Sequence, residues 1–148
     1  MGNNEEVLVE YNRESAEVHH FSVGAAGLPE IKIDRTGFTP EELSNDHYGA
    51  RLLCSAALSC FTNTFANSLI RAGVSVKGMR ANATIEKDKD DTFRTRYTAM
   101  ALNVEVDIDE AALPVFEKVK AKMEQGSLVT YSLEEVMEIE YDIQARFC

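Results

Sequence analysis

The chain has 148 residues, 45% of them apolar and 27% charged, a balance typical of a soluble folded domain rather than a disordered or fibrous one. With 15 Lys and Arg against 25 Asp and Glu the formal charge is −10, a surface that repels phosphate backbones, so no nucleic-acid partner is expected. No apolar run approaches the roughly 18 residues of a membrane span, so none is expected to enter a membrane.

The length suits one domain, 1–148, able to bury a substantial core. The opening "MGNNEEVLVEYNRES" has no basic segment followed by an apolar one, and "MGNNEE" carries Glu6 where a myristoylation signal needs Ser or Thr. Without an export signal in view, the expected compartment is the cytoplasm. In chain order, Val7, Val9 and Tyr11 alternate with polar neighbours. Ala16, Val18 and His20 do so less cleanly, and "IKID", Ile31 to Asp34, alternates again. Turn-prone "NRES" and "GAAGLP" separate these three predicted strands. A long helix is predicted next, with Ser44, Asn45 and Asp46 as cap candidates, Arg71 near its end and Gly73 just past it. Leu52, Ala56, Phe61, Phe65, Leu69 and Ile70 sit around most of its circumference, the mark of a helix inside a fold.

A predicted hairpin follows, with Met79 to Ile85 and Met100 to Val106 alternating on either side of "KDKDD". Ala112, Phe116, Val119 and Met123 then recur at helical spacing, with Pro114 at the start and Gly126 past the end. Met137, Ile139, Tyr141 and Ile143 form a last alternating strand. The order is β-β-β-α-β-β-α-β, an α+β domain with an antiparallel sheet that has one wet face.

The chemistry rests on three cysteines, Cys54, Cys60 and Cys148. Six helical residues advance the chain about 9 Å and leave two side chains about 120° apart. A disulfide needs Cα atoms within about 7 Å, so Cys54 and Cys60 do not bridge one another. Metal ligands on a helix recur at i+3 or i+4, and no Cys-x-x-Cys occurs. His19 and His20 point to opposite faces of their strand and His47 lies elsewhere, so no metal site is expected. Two readings of the thiols stand. They are small core hydrophobes, or one of them is a reactive thiolate with a cation and solvent nearby.

The arrangement of "LLCSAALSCF" in a buried helix, after three strands and before a hairpin, a shorter helix and a final strand, resembles the OsmC/Ohr family. Within it, "AALSCF", Ala56 to Phe61, resembles the small-residue helix that ends in the family's reactive cysteine, matched by Cys60. The segment "SLVTYSL", Ser127 to Leu133, resembles the Cys-Pro-Val-Ser segment. The resemblance implies an intertwined homodimer whose sheet wraps a buried central helix, with sites built from both chains. It also implies a first cysteine that attacks a hydroperoxide, a second that resolves the sulfenic acid, an arginine from an N-terminal strand and a glutamate ten residues before the first cysteine.

The sequence departs from that set. Ser127 stands at the resolving position and Ala50 at the glutamate, while "TPEEL", Thr39 to Leu43, holds a Pro-Glu pair about ten residues early. Arg13 is the candidate arginine, with Arg51 as a local alternative; Cys148 is a candidate substitute for the second thiol. The expectation is a cysteine-dependent peroxidase acting through Cys60 and Arg13, with an external thiol reductant, a small hydrophobic peroxide as substrate and no cofactor. The alternative is a non-catalytic protein of this fold that binds a small apolar ligand at its dimer interface.

Overall fold

Alternation in the first third of the chain produces an antiparallel meander. A computed structural model describes residues 5–148, and Gly2 of the partial lipidation pattern lies outside them. The chain divides into two compact units, Met1–His47 and Tyr48–Cys148. In the first, β1 (Glu10–Arg13), β2 (Val18–Ala25) and β3 (Leu28–Asp34) pair in sequence order. The predicted first strand begins later than its apolar pattern, since Val7 and Val9 precede β1. Tyr11 lies opposite Phe21, with ring centroids 5.3 Å apart, the cross-strand aromatic pairing that steadies a sheet. Among the described residues of this unit none is buried.

A short helix, α1 (Pro40–Ser44), closes the unit. Thr39 Oγ1 accepts the Glu42 amide at 3.2 Å, and Glu42 Oε1 accepts the Thr39 amide at 3.1 Å. The "TPEEL" segment is thus a capping box, with Glu41 and Glu42 exposed on the first turn.

The second unit opens with α2 (Tyr48–Arg71). It starts after the predicted cap residues, directly following His47, whose φ is +49°. It ends as the sequence predicts: Gly73 takes φ +89°, the Val74 amide donates to Leu69 O at 2.9 Å, and the Gly73 amide donates to Ile70 O at 3.0 Å, a Schellman closure. Next come β4 (Gly78–Lys89), β5 (Thr95–Ile108), a single 3-10 turn at Glu110–Ala112, α3 (Leu113–Met123), α4 (Leu128–Leu133) and β6 (Glu138–Phe147). The turn between β4 and β5 is held by Asp90 Oδ1, which accepts the Thr92 hydroxyl at 2.6 Å and the Thr92 amide at 2.9 Å.

This sheet is mixed rather than wholly antiparallel. β4 pairs antiparallel with β5, but β6 joins the other edge of β5 in parallel, with Met100 beside Ile139 and Val104 beside Ile143. The reason is connectivity: α3 and α4 carry the chain back to the start of β5, and a crossover of that kind delivers a parallel strand. One sheet face is apolar, with Met100, Leu102, Val104 and Val106 buried; the opposite face carries Arg80, Asn82, Asn103 and Glu105.

Helix α2 lies in this core through one stripe, Ala57, Phe61, Phe65 and Leu69, spaced four apart and fully buried. Burial within the chain is narrower than the all-round apolar pattern predicts, since Ala56 and Ile70 are exposed and Leu52 and Leu53 half-buried. Phe65 tilts against Phe116 of α3 at 5.8 Å, and each fully buried ring contributes about 1.5–3 kcal/mol. Among the described residues no helix is long and apolar enough to cross a membrane.

Candidate active site

Phe61 fixes the rotation of α2. It is fully buried and stacks on Tyr141 of β6, with centroids 5.3 Å apart and planes 19° from parallel. Its neighbour Cys60 is rotated about 100° from that inward direction, half-buried, and turned toward the start of α4. The chain reaches α4 through Gly126, whose φ of +91° ends α3. A Cβ there would lie 3.0 Å from Tyr141 Oη and 3.2 Å from Thr130 Oγ1, so the close approach requires glycine.

Ser127, the residue at the expected position of the second thiol, is the N-cap of α4 and is buried. The structure brings it to Cys60 across a separation of 67 residues. Burial acts most strongly on the Cys60 thiol, pushing its pKa up. The backbone of Val129, the Ser127 hydroxyl, the backbone of Leu128 and the Thr64 side chain outweigh it together and hold the thiol below its ordinary value. Three of these four, Ser127 and the backbone of Leu128 and Val129, lie at the start of α4, where amides have no partner within the helix. Cys54, six residues earlier, has only burial acting on it, and its thiol is pushed up. Of the two sequence readings, core packing fits Cys54; Cys60 is met by hydroxyls and backbone amides rather than by the cation that the reactive-thiolate reading calls for.

Behind Ser127 lies a line of hydroxyls. Ser127 Oγ is 3.3 Å from Thr130 Oγ1, and Thr130 Oγ1 accepts the Ser127 amide at 2.8 Å. Thr130 is fully buried, and the Tyr141 hydroxyl donates to Glu134 Oε1 at 3.0 Å. Burial chiefly, opposed by Thr130 and aided by Glu134, pushes the phenol up to about 12, so Tyr141 keeps its proton at neutral pH.

Arg13 ends β1 in the first unit, where its Nε donates to Ser15 O at 3.3 Å. Ala50 and Arg51 occupy the first turn of α2, about 15 Å along the axis from Cys60. Cys148 follows β6; its amide donates to Ile108 O at 3.2 Å, and Lys77 Nζ donates to its carbonyl at 3.1 Å. Tyr141 lies seven residues back along that strand, roughly 23 Å away. Cys148 is therefore not brought to Cys60 within the chain. His20 faces Glu30, with Nδ1 2.6 Å from Oε1, and Asp46 lies 3.8 Å from Arg35.

Thr64, Thr130 and Tyr141 were not among the sequence candidates. Thr64 stands at i+4 from Cys60 and Thr130 at i+3 from Ser127, both readable as local partners. Tyr141 is hidden by its place in an alternating strand, where it reads as core.

The sequence matches the family model described as OsmC-like protein over residues 32–142. No curated protein sequence matches it. Among solved structures it is similar to a hypothetical protein from Aquifex aeolicus, at TM-score 0.70 and 16% identity, covering 98% of this chain and 99% of that one. It is similar to an organic hydroperoxide resistance protein from Elizabethkingia anophelis at TM-score 0.66 and 14% identity, covering 99% and 100%. It is similar as well to one from Legionella pneumophila at TM-score 0.66 and 11% identity, covering 97% and 99%. At these identities the likeness is one of fold.

Proposed function

The chain belongs to the family of OsmC-like proteins, and we propose that within it the protein is a hydroperoxide reductase of oxidative-stress defence that works through Cys60. The observation that carries this reading is the thiol itself: half-buried, met by Ser127 and by the α4 backbone, and more acidic than an ordinary cysteine. Structural neighbours described as organic hydroperoxide resistance proteins support the substrate class. Leu128, apolar and exposed at the start of α4, gives a small hydrophobic peroxide a surface beside the sulfur.

In the reaction the Cys60 thiolate attacks one peroxide oxygen. The O–O bond breaks as the S–O bond forms, so sulfur is oxidised to a sulfenic acid and the leaving alkoxide takes up a proton to become an alcohol. Ser127 has no thiol with which to resolve the product. An external thiol therefore attacks the sulfenic sulfur, releasing water and leaving a mixed disulfide. A second equivalent of that thiol restores Cys60 and departs as its own disulfide. Dependence on external thiols fits a reducing compartment such as the cytoplasm.

Arg13 is the candidate cation, supplied at a site shared between two copies of the chain. The first unit supports the dimer, because its three-stranded sheet buries no described residue and leaves Val9 and Tyr11 exposed. Cys60→Ser is expected to reduce hydroperoxide consumption, measured with a dithiol in excess, to the uncatalysed rate. Arg13→Ala is expected to raise the pKa read from Cys60 alkylation. Unchanged turnover in Cys60→Ser would overturn the reading.

A further inference from the structure

The hairpin of β4 and β5 outreaches the rest of its sheet. β6 begins at Glu138, beside Ala99, so the last three pairs of the hairpin, Lys87 with Tyr97, Asp88 with Arg96 and Lys89 with Thr95, have no third strand. They form an arm. At its tip stands Phe93, 83% exposed, with a backbone φ of +62°, a conformation that a bulky side chain rarely adopts.

The tip is nonetheless well braced. Asp90 Oδ1 accepts the Arg94 amide at 3.2 Å in addition to its two bonds from Thr92. The Phe93 amide donates to Asp90 O and the Asp90 amide to Arg94 O, each at 2.9 Å. Arg96 Nη2 donates to Val136 O at 2.7 Å, which ties the arm to the segment before β6. An aromatic ring is thus presented to solvent on a fixed support. Lys87, Lys89, Arg94 and Arg96 lie along the same arm, four of the 15 basic residues of the chain.

Where the arm joins the sheet, the polar face holds a depression of about 160 Å³. Ala99 and Ala101 of β5 form its floor. In register beside them stand Glu86 and Thr84 of β4 on one side, and Glu138 and Glu140 of β6 on the other. Among the described residues these three glutamates enter no ion pair.

We propose that the arm docks copies of this chain on one another: Phe93 of one copy enters the Ala99–Ala101 depression of a second, Arg94 meets its glutamate walls, and the second copy makes the same contact in return. Size, charge and reach select that occupant. A volume of this order takes one aromatic ring. A cationic arm and anionic walls complement each other on a chain whose formal charge of −10 otherwise keeps copies apart, and the same charge repels an anionic lipid surface. Phe93 lies roughly 20 Å along the chain from Ala99, so no chain fills its own depression. One ring and a few charge pairs in each direction make a small interface, so the association belongs at roughly 100 μM rather than at micromolar concentration. The role of Cys60 does not enter.

Sedimentation equilibrium of the full chain tests this, with the mass at about 1 μM as reference and concentrations up to about 500 μM. In low salt the wild-type mass should double across the upper part of that range, and about 0.5 M NaCl should move the midpoint up by roughly tenfold. Phe93→Asn removes the ring at a residue type that accepts this backbone, so the variant should melt no lower than wild type while its midpoint rises by about tenfold or more. Phe93→Tyr should keep the association. Reversing one wall with Glu138→Lys and Glu140→Lys should abolish it, with a thermal melt to verify folding.

A mass that stays constant to the highest concentration overturns the proposal, as does a doubling that survives unchanged in Phe93→Asn. So does a constant mass accompanied by binding to vesicles of anionic phospholipid that Phe93→Asn loses, which would assign the arm to a membrane surface.

Discussion

Two cysteines on one helix differ in what surrounds the sulfur. Cys54 meets burial alone, which disfavours its charged form, whereas Cys60 meets donors that more than offset burial. Because the thiolate is the species that reacts, and the two pKa values move in opposite directions, Cys60 should alkylate several-fold faster than Cys54 at pH 7. Peptide-resolved labelling measures the ratio directly, and equal rates would remove the distinction. Asp107 presents the same balance for a carboxylate. Arg80 holds it bidentately at 2.6 and 3.0 Å, Arg146 adds a contact at 3.0 Å, and a Cβ on Gly78 would fall 2.6 Å from its Oδ2. The hydrogen bonds from Arg80, ahead of opposing burial, pull its pKa below the usual carboxylate value. A depressed pKa contributes stability above the unfolded value and loses it as pH falls through the folded one. Asp107→Asn should therefore lower Tm by a few degrees at pH 7, by a margin that shrinks as the pH is lowered toward about 2. A Tm difference of the same size at both pH values would show that packing, not charge, holds the group.

At the scale of elements, the site depends on α4 meeting α2. One glycine turn ends α3, and Ser127 then begins α4 with its side chain on the sulfur of a residue far earlier in the sequence. Side chains within hydrogen-bonding contact lie close to the separation that a disulfide spans. Ser127→Cys should therefore create the resolving thiol that this chain lacks. After one equivalent of hydroperoxide, intact mass should fall by about 2 Da relative to the reduced variant, with Cys60 and the new cysteine recovered in one cross-linked peptide. The wild-type protein should instead yield a sulfenic acid that dimedone traps. A dimedone adduct in the variant, with no cross-link, would show that the two side chains do not come within bonding distance. The parallel placement of β6 matters here too, since it puts Tyr141 beside Leu102 and over the α2 stripe, where its ring reaches Phe61.

At the scale of the molecule, the longer regular elements were legible because period and punctuation agreed, whereas the short helices α1 and α4 were not predicted. Phe116, Val119 and Met123 fixed one face of α3, and Gly73 and Gly126 fixed two helix ends; of "KDKDD", predicted as the hairpin turn, Lys87 to Lys89 extend β4 and Asp90 and Asp91 begin the tip. The parallel pairing of β6 was not legible, since alternation in Ile139, Tyr141 and Ile143 is the same for either direction and only the intervening helices carry the sense. Of the site, Cys60 and Ser127 could be matched by position. The hydroxyl line could not, because Tyr141 in a strand has the pattern of a core residue and its polar end shows only once α4 lies beneath it. The apolar circumference of α2 is larger than the stripe one chain buries: Ala56 and Ile70 are exposed, and the meander of the first unit buries no described residue. Exposed apolar surface of this extent is costly in water and is covered where a partner exists. The chain should therefore sediment as a dimer of twice 16.5 kDa at micromolar concentration. An Ile70→Glu substitution on the exposed flank of α2 should shift it toward the single-chain mass while the core stripe of Phe61, Phe65 and Leu69 keeps the far-ultraviolet signature of the fold. A wild-type protein that sediments at the single-chain mass over the same range would leave Cys60 and its hydroxyl line in place but strip Arg13 of the shared site assigned to it.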